Sequence, residues 1–346
     1  MTVRILVGDV RERLREIPDE SVHCIVTSPP YWGLRDYGVD GQLGLETDFQ
    51  DYIEAMVAVF AEARRVLRQD GTLWLNLGDC YANDGKWGGS SSGVMAKDLH
   101  GKTGVGRGKR KTGLKPKDLM MMPARVVLAL QEDGWWLRSE IVWAKPNPMP
   151  ESVVDRPTSS HEKLFLLTRS ERYFYDADAV REPAIGQNEH DLTGPGYSAP
   201  GQSRQAGSRK RGVPPRHAQY ESSDRASLDG VGRGAGRNLR NVWTIATSPF
   251  QEAHFATFPP ELPERCIKAG CPAGGTVLDP FGGAGTTALV ADRLKRHAIL
   301  IELNPDYAEI ARKRLEHDAG MFAQTTMSLL GGTAHDHPTA EAMPIG

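Results

Sequence analysis

The sequence lacks the cysteine patterns that mark several protein classes. Its 346 residues include only four cysteines, which form no C-x-x-C pair and no zinc-ligand spacing with the ten histidines: Cys24, Cys80, Cys266 and Cys271. These counts argue against a disulfide-rich secreted domain and against a zinc-ribbon fold. We therefore expect reduced thiols and predict no metal site.

Long apolar runs are also absent. No stretch of the chain approaches the ~18 apolar residues that a membrane-spanning helix needs. The opening residues, MTVRILVGDV, predict a strand followed by a turn, and they include no apolar stretch of signal-peptide length. We therefore expect a cytoplasmic protein that makes no contact with a membrane.

The chain does contain a regular alternation of strand-like and helix-like segments. Hydrophobic periodicity predicts strands at residues 3–7, 22–26, 72–77, 135–143, 163–168, 276–278 and 298–301. It predicts helices at 48–68, with Asp48 as N-cap and Gly71 as the stop, at 117–132, at 286–294, and from Asn304 onward. This alternation is typical of a doubly wound α/β fold.

Two irregular segments interrupt the alternation. Residues 84–117 are rich in Gly and Ser and contain nine Lys or Arg against two Asp, a net charge of +7. Residues 184–237 are rich in Gly, Pro, Ser and Arg. Each segment is either a solvated insertion or a surface that contacts a polyphosphate backbone. Residues 319–346 are predicted to form a flexible tail.

A glycine-rich turn near the end of the chain predicts a nucleotide-type cofactor. Gly283-x-Gly285-x-x-Ala288 fits the dinucleotide-binding fingerprint, and Glu302 follows at the end of the next predicted strand. Taken alone, this pattern favours an NAD-dependent dehydrogenase. Asp279, just before the glycines, would instead repel a pyrophosphate and suits a cofactor with an ammonium and a sulfonium, such as S-adenosyl-L-methionine (AdoMet).

The segment TSPPYW, residues 27–32, predicts a rigid corner at the end of a strand. Pro29 and Pro30 each fix φ and remove a backbone donor, so the strand ends there. Ser28 Oγ and the Pro29 carbonyl offer acceptors for the two N–H groups of an exocyclic amine, and Tyr31 can stack on an extruded base. In a doubly wound sheet this corner and the glycine turn are expected to face one crevice.

The combined motifs resemble those of the beta-group DNA amino-methyltransferases, in which the catalytic motif precedes the cofactor motif. The resemblance covers residues 1–183 and 238–318 and includes G8-D9, TSPPYW, KPNPMPESVVDRPTSSHEKLFLL from Lys145, HFATFPPEL from His254 and DPFGGAGTT from Asp279. It implies a mostly parallel, seven-stranded, Rossmann-like methyltransferase sheet as the catalytic domain. It also places the target-recognition region on residues 184–237.

The resemblance also implies a set of site residues. Catalysis is assigned to Ser28, Pro29, Pro30 and Tyr31, and AdoMet binding to Asp9, Thr257, Phe258, Asp279, Phe281, Gly283, Gly285, Thr286 and Glu302. Double-stranded DNA is the expected partner, contacted by Lys109, Arg110 and Lys111 of the basic insertion. A homodimer and a cognate restriction endonuclease are left open. So are the roles of His161, Glu162 and Arg156.

Members of this family that methylate cytosine N4 mostly carry Ser at the position of Ser28, and those that methylate adenine N6 mostly carry Asp. The resemblance therefore favours cytosine N4, with adenine N6 as the alternative. Carbon-5 methylation is disfavoured because it needs a cysteine nucleophile and the chain has no Pro-Cys pair. A dehydrogenase, an inactive binding module and a protein-amide methyltransferase are the remaining alternatives; the last usually has Asn where Ser28 stands.

Overall fold

The computed structural model describes residues 1–34, 36–82, 112–183, 236–247, 258–319 and 324–329. These ranges contain nine strands: β1 (Thr2–Val7), β2 (Val22–Thr27), β3 (Leu67–Leu77), β4 (Trp136–Ala144), β5 (His161–Thr168), β6 (Val242–Thr244), β7 (Thr276–Asp279), β8 (His297–Glu302) and β9 (Gln324–Leu329). They contain six α-helices: α1 (Val10–Arg13), α2 (Phe49–Val66), α3 (Met122–Glu132), α4 (Glu261–Gly270), α5 (Thr286–Arg293) and α6 (Pro305–Ala319). Two 3₁₀-helices span Leu14–Glu16 and Asp178–Val180. In the described ranges, no helix has both the length and the apolar character needed to cross a membrane.

The nine described strands form one mostly parallel sheet, in the order β6-β4-β5-β3-β2-β7-β8-β1-β9. Only β5, among these strands, runs antiparallel to its neighbours β3 and β4. The carboxyl ends of the other eight strands therefore meet at one edge, which we call the carboxyl edge. Because β5 is reversed, its first residues lie at the carboxyl edge too.

Helices cover both faces of the sheet. On one face, α2 and α3 pack over Ile25, Leu73 and Leu75 in the main hydrophobic core. On the other face, α4 ends so close to β3 that a Cβ on Gly270 would lie 2.3 Å from Thr72 Oγ1. The central strands are thus buried on both sides, which explains apolar runs such as that of β2. The predicted doubly wound α/β fold is confirmed.

The chain divides into two compact units, residues 1–179 with 240–346 and residues 180–239. The first unit contains the whole sheet. In the second, the described residues Glu182 and Arg237 pair through their backbones and through an ion pair with an Nε–Oε2 distance of 2.7 Å. The recognition role expected of residues 184–237 stays a prediction, since 184–235 lie outside the described ranges.

The sheet has two more strands than the seven expected. One is β6, which has only three residues and therefore no readable periodicity. The other is β9, which pairs with β1 from Thr2↔Gln324 to Val7↔Leu329. The prediction that all of residues 319–346 form a flexible tail is therefore wrong for 324–329. The edge of β1 offers a full row of hydrogen-bonding groups, and β9 occupies it.

Two helix boundaries also differ from the predictions. Helix α2 begins after its predicted cap, with the Asp48 carboxylate accepting from the Gln50 amide at 2.9 Å, but it ends at Val66. Gly71, the predicted stop, lies inside β3. Helix α3 begins at Met122 rather than near residue 117, because Met121 has a left-handed φ of 55° and the Asp79 carboxylate accepts from the Met122 amide.

Candidate active site

Two sequence motifs meet at the carboxyl edge. Strand β2 ends directly before Ser28, and β7 ends at Asp279, where the glycine turn begins. These strands are neighbours in the sheet, paired through Ile25↔Leu278. Across the junction Thr27 Oγ1 donates a hydrogen bond to Asp279 Oδ1 at 2.7 Å. The two turns therefore lie side by side at the carboxyl edge.

Asp279 is buried and shared between the two turns. Besides Thr27, it accepts hydrogen bonds from Thr287 Oγ1 at 2.7 Å and from the Phe281 amide at 3.1 Å. Burial raises the pKa of Asp279, while these hydrogen bonds act in the opposite direction. A carboxylate has about four acceptor sites, so three protein donors leave room for another partner. Asp279 therefore joins the two turns, a contact that the sequence did not predict.

Both turns line one cavity of about 1200 Å³. A pocket for one small ligand typically measures roughly 300–1000 Å³, so this cavity is larger than one small ligand needs. Most of the predicted catalytic and cofactor residues line it: Asp9, Ser28, Pro29, Pro30, Tyr31, Phe258, Asp279, Phe281, Gly283, Thr286 and Glu302.

The two glycines of the predicted fingerprint have different surroundings. Gly283 has a φ of +49° and lines the cavity, and a Cβ there would meet nothing within 4 Å. Gly285 has a φ of +77° and precedes α5, where a Cβ would lie 2.9 Å from Ala311 Cβ in α6. Gly283 thus leaves open space beside the cavity, whereas Gly285 permits two helices to pack closely.

The part of the cavity near β1, β7 and β8 is acidic. Glu302 Oε2 accepts from the Gly283 amide at 2.7 Å and Oε1 accepts from the Asn304 amide at 2.9 Å. Burial raises the pKa of Glu302 to about 7. Asp9 is partly exposed, and hydrogen bonds from Arg11 lower its pKa. Together with Asp279, these carboxyl groups make this part of the cavity suitable for a cationic ligand.

Two contacts hold the corner at Ser28 in place. Tyr52 Oη donates to the Pro30 carbonyl at 2.9 Å. The Tyr31 ring packs so closely on Gly78 that a Cβ on Gly78 would lie 2.5 Å from Tyr31 Cε2. Ser28 Oγ donates to Tyr31 Oη at 3.2 Å. Among the described residues, none donates a hydrogen bond to the Pro29 carbonyl. The corner is therefore rigid, and its two predicted acceptors line the cavity.

Two charged residues complete this side of the cavity. Tyr31 Oη donates to Glu162 Oε2 at 2.7 Å, and Glu162 forms an ion pair with Lys145. The Lys145 ammonium lies 4.4 Å from the centre of the Trp143 ring. The sequence left the role of Glu162 open and gave Lys145 none. The reversed direction of β5 brings Glu162 to the carboxyl edge, and nothing in the local sequence indicates that reversal.

Arg156, at the rim of the cavity, has internal partners. Its Nη1 lies 2.7 Å from Glu151 Oε2, and its guanidinium lies 4.1 Å from the centre of the Tyr81 ring. The sequence left the role of Arg156 open, and the structure shows its contact with an internal carboxylate. His161 also lines the cavity, and its side chain is exposed.

Some predicted residues lie outside the described part of the chain. These are Thr257, expected to bind the cofactor, and the three basic residues expected to bind DNA, Lys109, Arg110 and Lys111. Their roles stay predictions.

Comparisons with known proteins find a matching family and several relatives. A sequence profile of the family described as DNA methylase, which joins N6 and N4 methyltransferases, matches residues 22–313. The Type II methyltransferase M.XycI from Xanthomonas campestris pv. cyanopsidis is 45% identical, over 89% of this chain and 86% of its own length. The Type II methyltransferase M.SmaI from Serratia marcescens is 41% identical, over 90% of both chains.

Two solved structures share the fold. The PvuII DNA methyltransferase, described as cytosine-N4-specific, matches with a TM-score of 0.58 at 19% identity, over 91% of this chain and 86% of its own. A candidate DNA modification methylase from Thermus thermophilus, complexed with AdoMet, matches with a TM-score of 0.53 at 22% identity, over 94% of this chain and 98% of its own. With the profile spanning most of the sequence and relatives of this identity covering nearly all of it, the chain belongs to the family of DNA methylases.

Proposed function

We propose that this chain transfers a methyl group from AdoMet to the exocyclic amine of a base in double-stranded DNA, with cytosine N4 as the target. One observation carries the proposal: the Ser28 corner and the glycine turn line the same cavity, tied by the hydrogen bond from Thr27 to Asp279. The Ser28 corner would have no function in a dehydrogenase. Membership of the DNA methylase family also argues against a dehydrogenase.

The acidic part of the cavity suits AdoMet, which carries a sulfonium and an ammonium group. Glu302 is held by two backbone amides with acceptor capacity left for ribose hydroxyls, and Asp9 and Asp279 favour the positive groups. Amides at the start of α5, near Thr286, suit the carboxylate of the ligand. When bound, AdoMet supplies an activated methyl group. The volume of the cavity leaves space for an extruded base beside it.

The Ser28 corner prepares the amine for attack. The lone pair of an exocyclic amine is delocalised into the base, which makes the nitrogen a weak nucleophile. The Ser28 hydroxyl donates its hydrogen bond to Tyr31 Oη, so both lone pairs of Ser28 Oγ stay available as acceptors. The Pro29 carbonyl offers another acceptor. Accepting both N–H groups pulls the amine toward tetrahedral geometry and localises its lone pair. Positioning and electrostatics then provide most of the rate acceleration.

The choice of cytosine N4 rests on Ser28. Family members that act on this atom mostly have Ser at the position, and the PvuII enzyme that shares the fold is described as cytosine-N4-specific. Adenine N6 is the second candidate, because either amine can donate to a hydroxyl and a carbonyl. The relatives M.XycI and M.SmaI are Type II methyltransferases, which supports a Type II modification enzyme whose partner would be a restriction endonuclease with the same recognition site.

Incubation with labelled AdoMet and unmodified duplex DNA tests the proposal. After digestion to nucleosides, mass spectrometry should detect N4-methylcytosine and no other methylated base. N6-methyladenine would establish the second candidate instead. Calorimetry establishes the AdoMet concentration that saturates the protein. If the DNA remains unlabelled at that concentration, the proposed activity is contradicted.

A further inference from the structure

A row of hydroxyl groups leads from the proposed amine site to a carboxylate. Ser28 Oγ donates to Tyr31 Oη at 3.2 Å, and Tyr31 Oη donates to Glu162 Oε2 at 2.7 Å. Each hydroxyl thus donates to the next group in the row, which ends at the Glu162 carboxylate. This is the arrangement in which a proton arriving at Ser28 can be passed along the row without any heavy atom moving.

Tyr31 has a second acceptor within reach, Asn76 Oδ1 at 3.1 Å. A phenol has only one proton, so the two acceptors compete for it. Glu162 is the closer acceptor, and a hydrogen bond to a carboxylate is roughly twice as strong as one to a neutral amide. Tyr31 Oη therefore donates its hydrogen bond to Glu162 and not to Asn76.

The surroundings keep each member of the row in the required form. Burial, followed by the proximity of the Glu162 carboxylate, raises the pKa of Tyr31 well above its ordinary value, so the phenol keeps its proton. Glu162 Oε1 pairs with Lys145, which leaves Oε2 for Tyr31. The two charged side chains are largely buried, with 19% and 18% of their surfaces exposed.

We propose that Glu162 is a positioning residue that receives the proton released by methylation, through Tyr31 and Ser28. The inference rests on the proposed function. The amine nitrogen bonds to the methyl carbon while the carbon–sulfur bond breaks and sulfur keeps the electron pair. The proton of the methylated, cationic amine passes to Ser28 Oγ, the Ser28 proton to Tyr31 Oη, and the Tyr31 proton to Glu162 Oε2.

Charge balances across this step. Before it, the cavity contains the sulfonium and the Glu162 carboxylate; after it, both are neutral and the methylated base is neutral as well. The relay therefore removes the positive charge from the methylated base.

Single-turnover methylation of duplex DNA by four variants tests the relay. These are Glu162→Gln, Tyr31→Phe, the double variant that combines these two changes, and Glu162→Asp. The matched control is Glu264→Gln, because Glu264 forms an ion pair with Lys268 on the surface of α4. Glu162→Gln and Tyr31→Phe should each lose about 10²-fold or more in rate, as expected for lost general-base assistance. The affinity for AdoMet, measured by calorimetry, should stay within about twofold. Glu162→Asp should lose less than Glu162→Gln.

The double variant distinguishes a relay from two separate structural effects. If both residues serve one relay, the double variant is no slower than the slower single variant, since the row is already broken. Losses that multiply would overturn the inference, and so would a Tyr31→Phe rate within about threefold of the parent protein. Tyr31→Phe keeps the ring against Gly78 and decides the matter even if Glu162→Gln fails to fold. Absence of any methylated base with the parent protein would instead refute the proposed function.

Discussion

The proposed role of Ser28 depends on one atom, its hydroxyl oxygen. Replacing it by Ala removes the acceptor for the amine but leaves the corner in place, because Pro29, Pro30 and the Tyr52 contact remain. We expect Ser28→Ala to lower the single-turnover rate by roughly 10²-fold or more, with little change in AdoMet affinity. Stopped reactions with labelled AdoMet give the rate, and calorimetry gives the affinity.

Ser21→Ala is the matched control, since Ser21 precedes the same strand at its other end and donates only to the Pro18 carbonyl. Its rate should equal that of the parent protein. If Ser28→Ala lost rate and cofactor affinity in equal proportion, Ser28 would act on the cofactor and not on the amine.

Glu302 gives the cofactor site a dependence on pH. Burial raises the pKa of Glu302 to about 7, so without cofactor the carboxyl group is protonated below that pH and ionised above it. Because the folded-state pKa is raised, this group stabilises the fold at low pH, and its contribution falls as pH rises toward about 7. Binding of a cation, and of ribose hydroxyls that need acceptors, favours the ionised form.

We therefore expect AdoMet to bind more tightly as pH rises through about 7. The gain is at most about tenfold per pH unit, and binding below that pH should release a proton. Calorimetry in buffers of different ionisation enthalpy measures both quantities. In Glu302→Gln the proton release assigned to this group should disappear, and an unchanged release would assign it elsewhere.

The start of helix α5 depends on a missing side chain. Gly285 has a φ of +77°, and a Cβ there would lie 2.9 Å from Ala311 Cβ. Gly285→Ala should therefore combine about 1–2 kcal/mol of left-handed strain with about 1–3 kcal/mol of overpacking against α6. Urea denaturation of the cofactor-free protein measures the loss of unfolding free energy.

Gly274→Ala separates the two contributions. Gly274 has a φ of +72°, close to that of Gly285, but a Cβ there would meet nothing within 4 Å. Gly274→Ala should therefore show the left-handed strain alone and lose less unfolding free energy than Gly285→Ala. Equal losses in the two variants would mean that α5 and α6 yield to the extra methyl group without cost.

Sequence reasoning succeeded where an element is defined by its own residues. The proline corner and the glycine turn are local signals, and with the α/β alternation they were enough to place both at one edge of the sheet. The cap at Asp48 is equally local. Signals of this kind depend on backbone conformation within a few residues, which the amino-acid type largely decides.

The elements that were missed depend on distant partners. Strand β6 has three residues and forms only because β4 offers it an edge, and β9 forms on β1 in the same way. The pair of Lys145 and Glu162 is adjacent to Ser28 only because β5 enters the sheet in the reverse direction. A strand has the same side-chain alternation in either direction, so its periodicity contains no information about its orientation.

For the molecule as a whole, the basic insertion provides a test of DNA binding. Replacing Lys109, Arg110 and Lys111 by Ala should weaken binding to all sequences. It should also flatten the plot of log affinity against log salt concentration by up to about three units, roughly one for each phosphate that the protein no longer neutralises. Fluorescence anisotropy with labelled duplex DNA over a series of salt concentrations provides the slope.

Three exposed arginines at the opposite edge of the sheet form the control: Arg68, Arg172 and Arg293. Their replacement changes the net charge by the same amount but should leave the slope unchanged. If both triple variants reduced the slope alike, overall charge and not the insertion would govern binding.

The hydrogen bond between Thr27 and Asp279 joins residues that are 252 positions apart. During synthesis on a ribosome, β2 is made near the beginning, and its neighbour β7 follows only after most of the chain. At about 5–20 residues per second, β2 waits on the order of 10–50 s with one side unpaired. A polypeptide released early would have the proline corner but no glycine turn, so incomplete translation products should be unable to modify DNA.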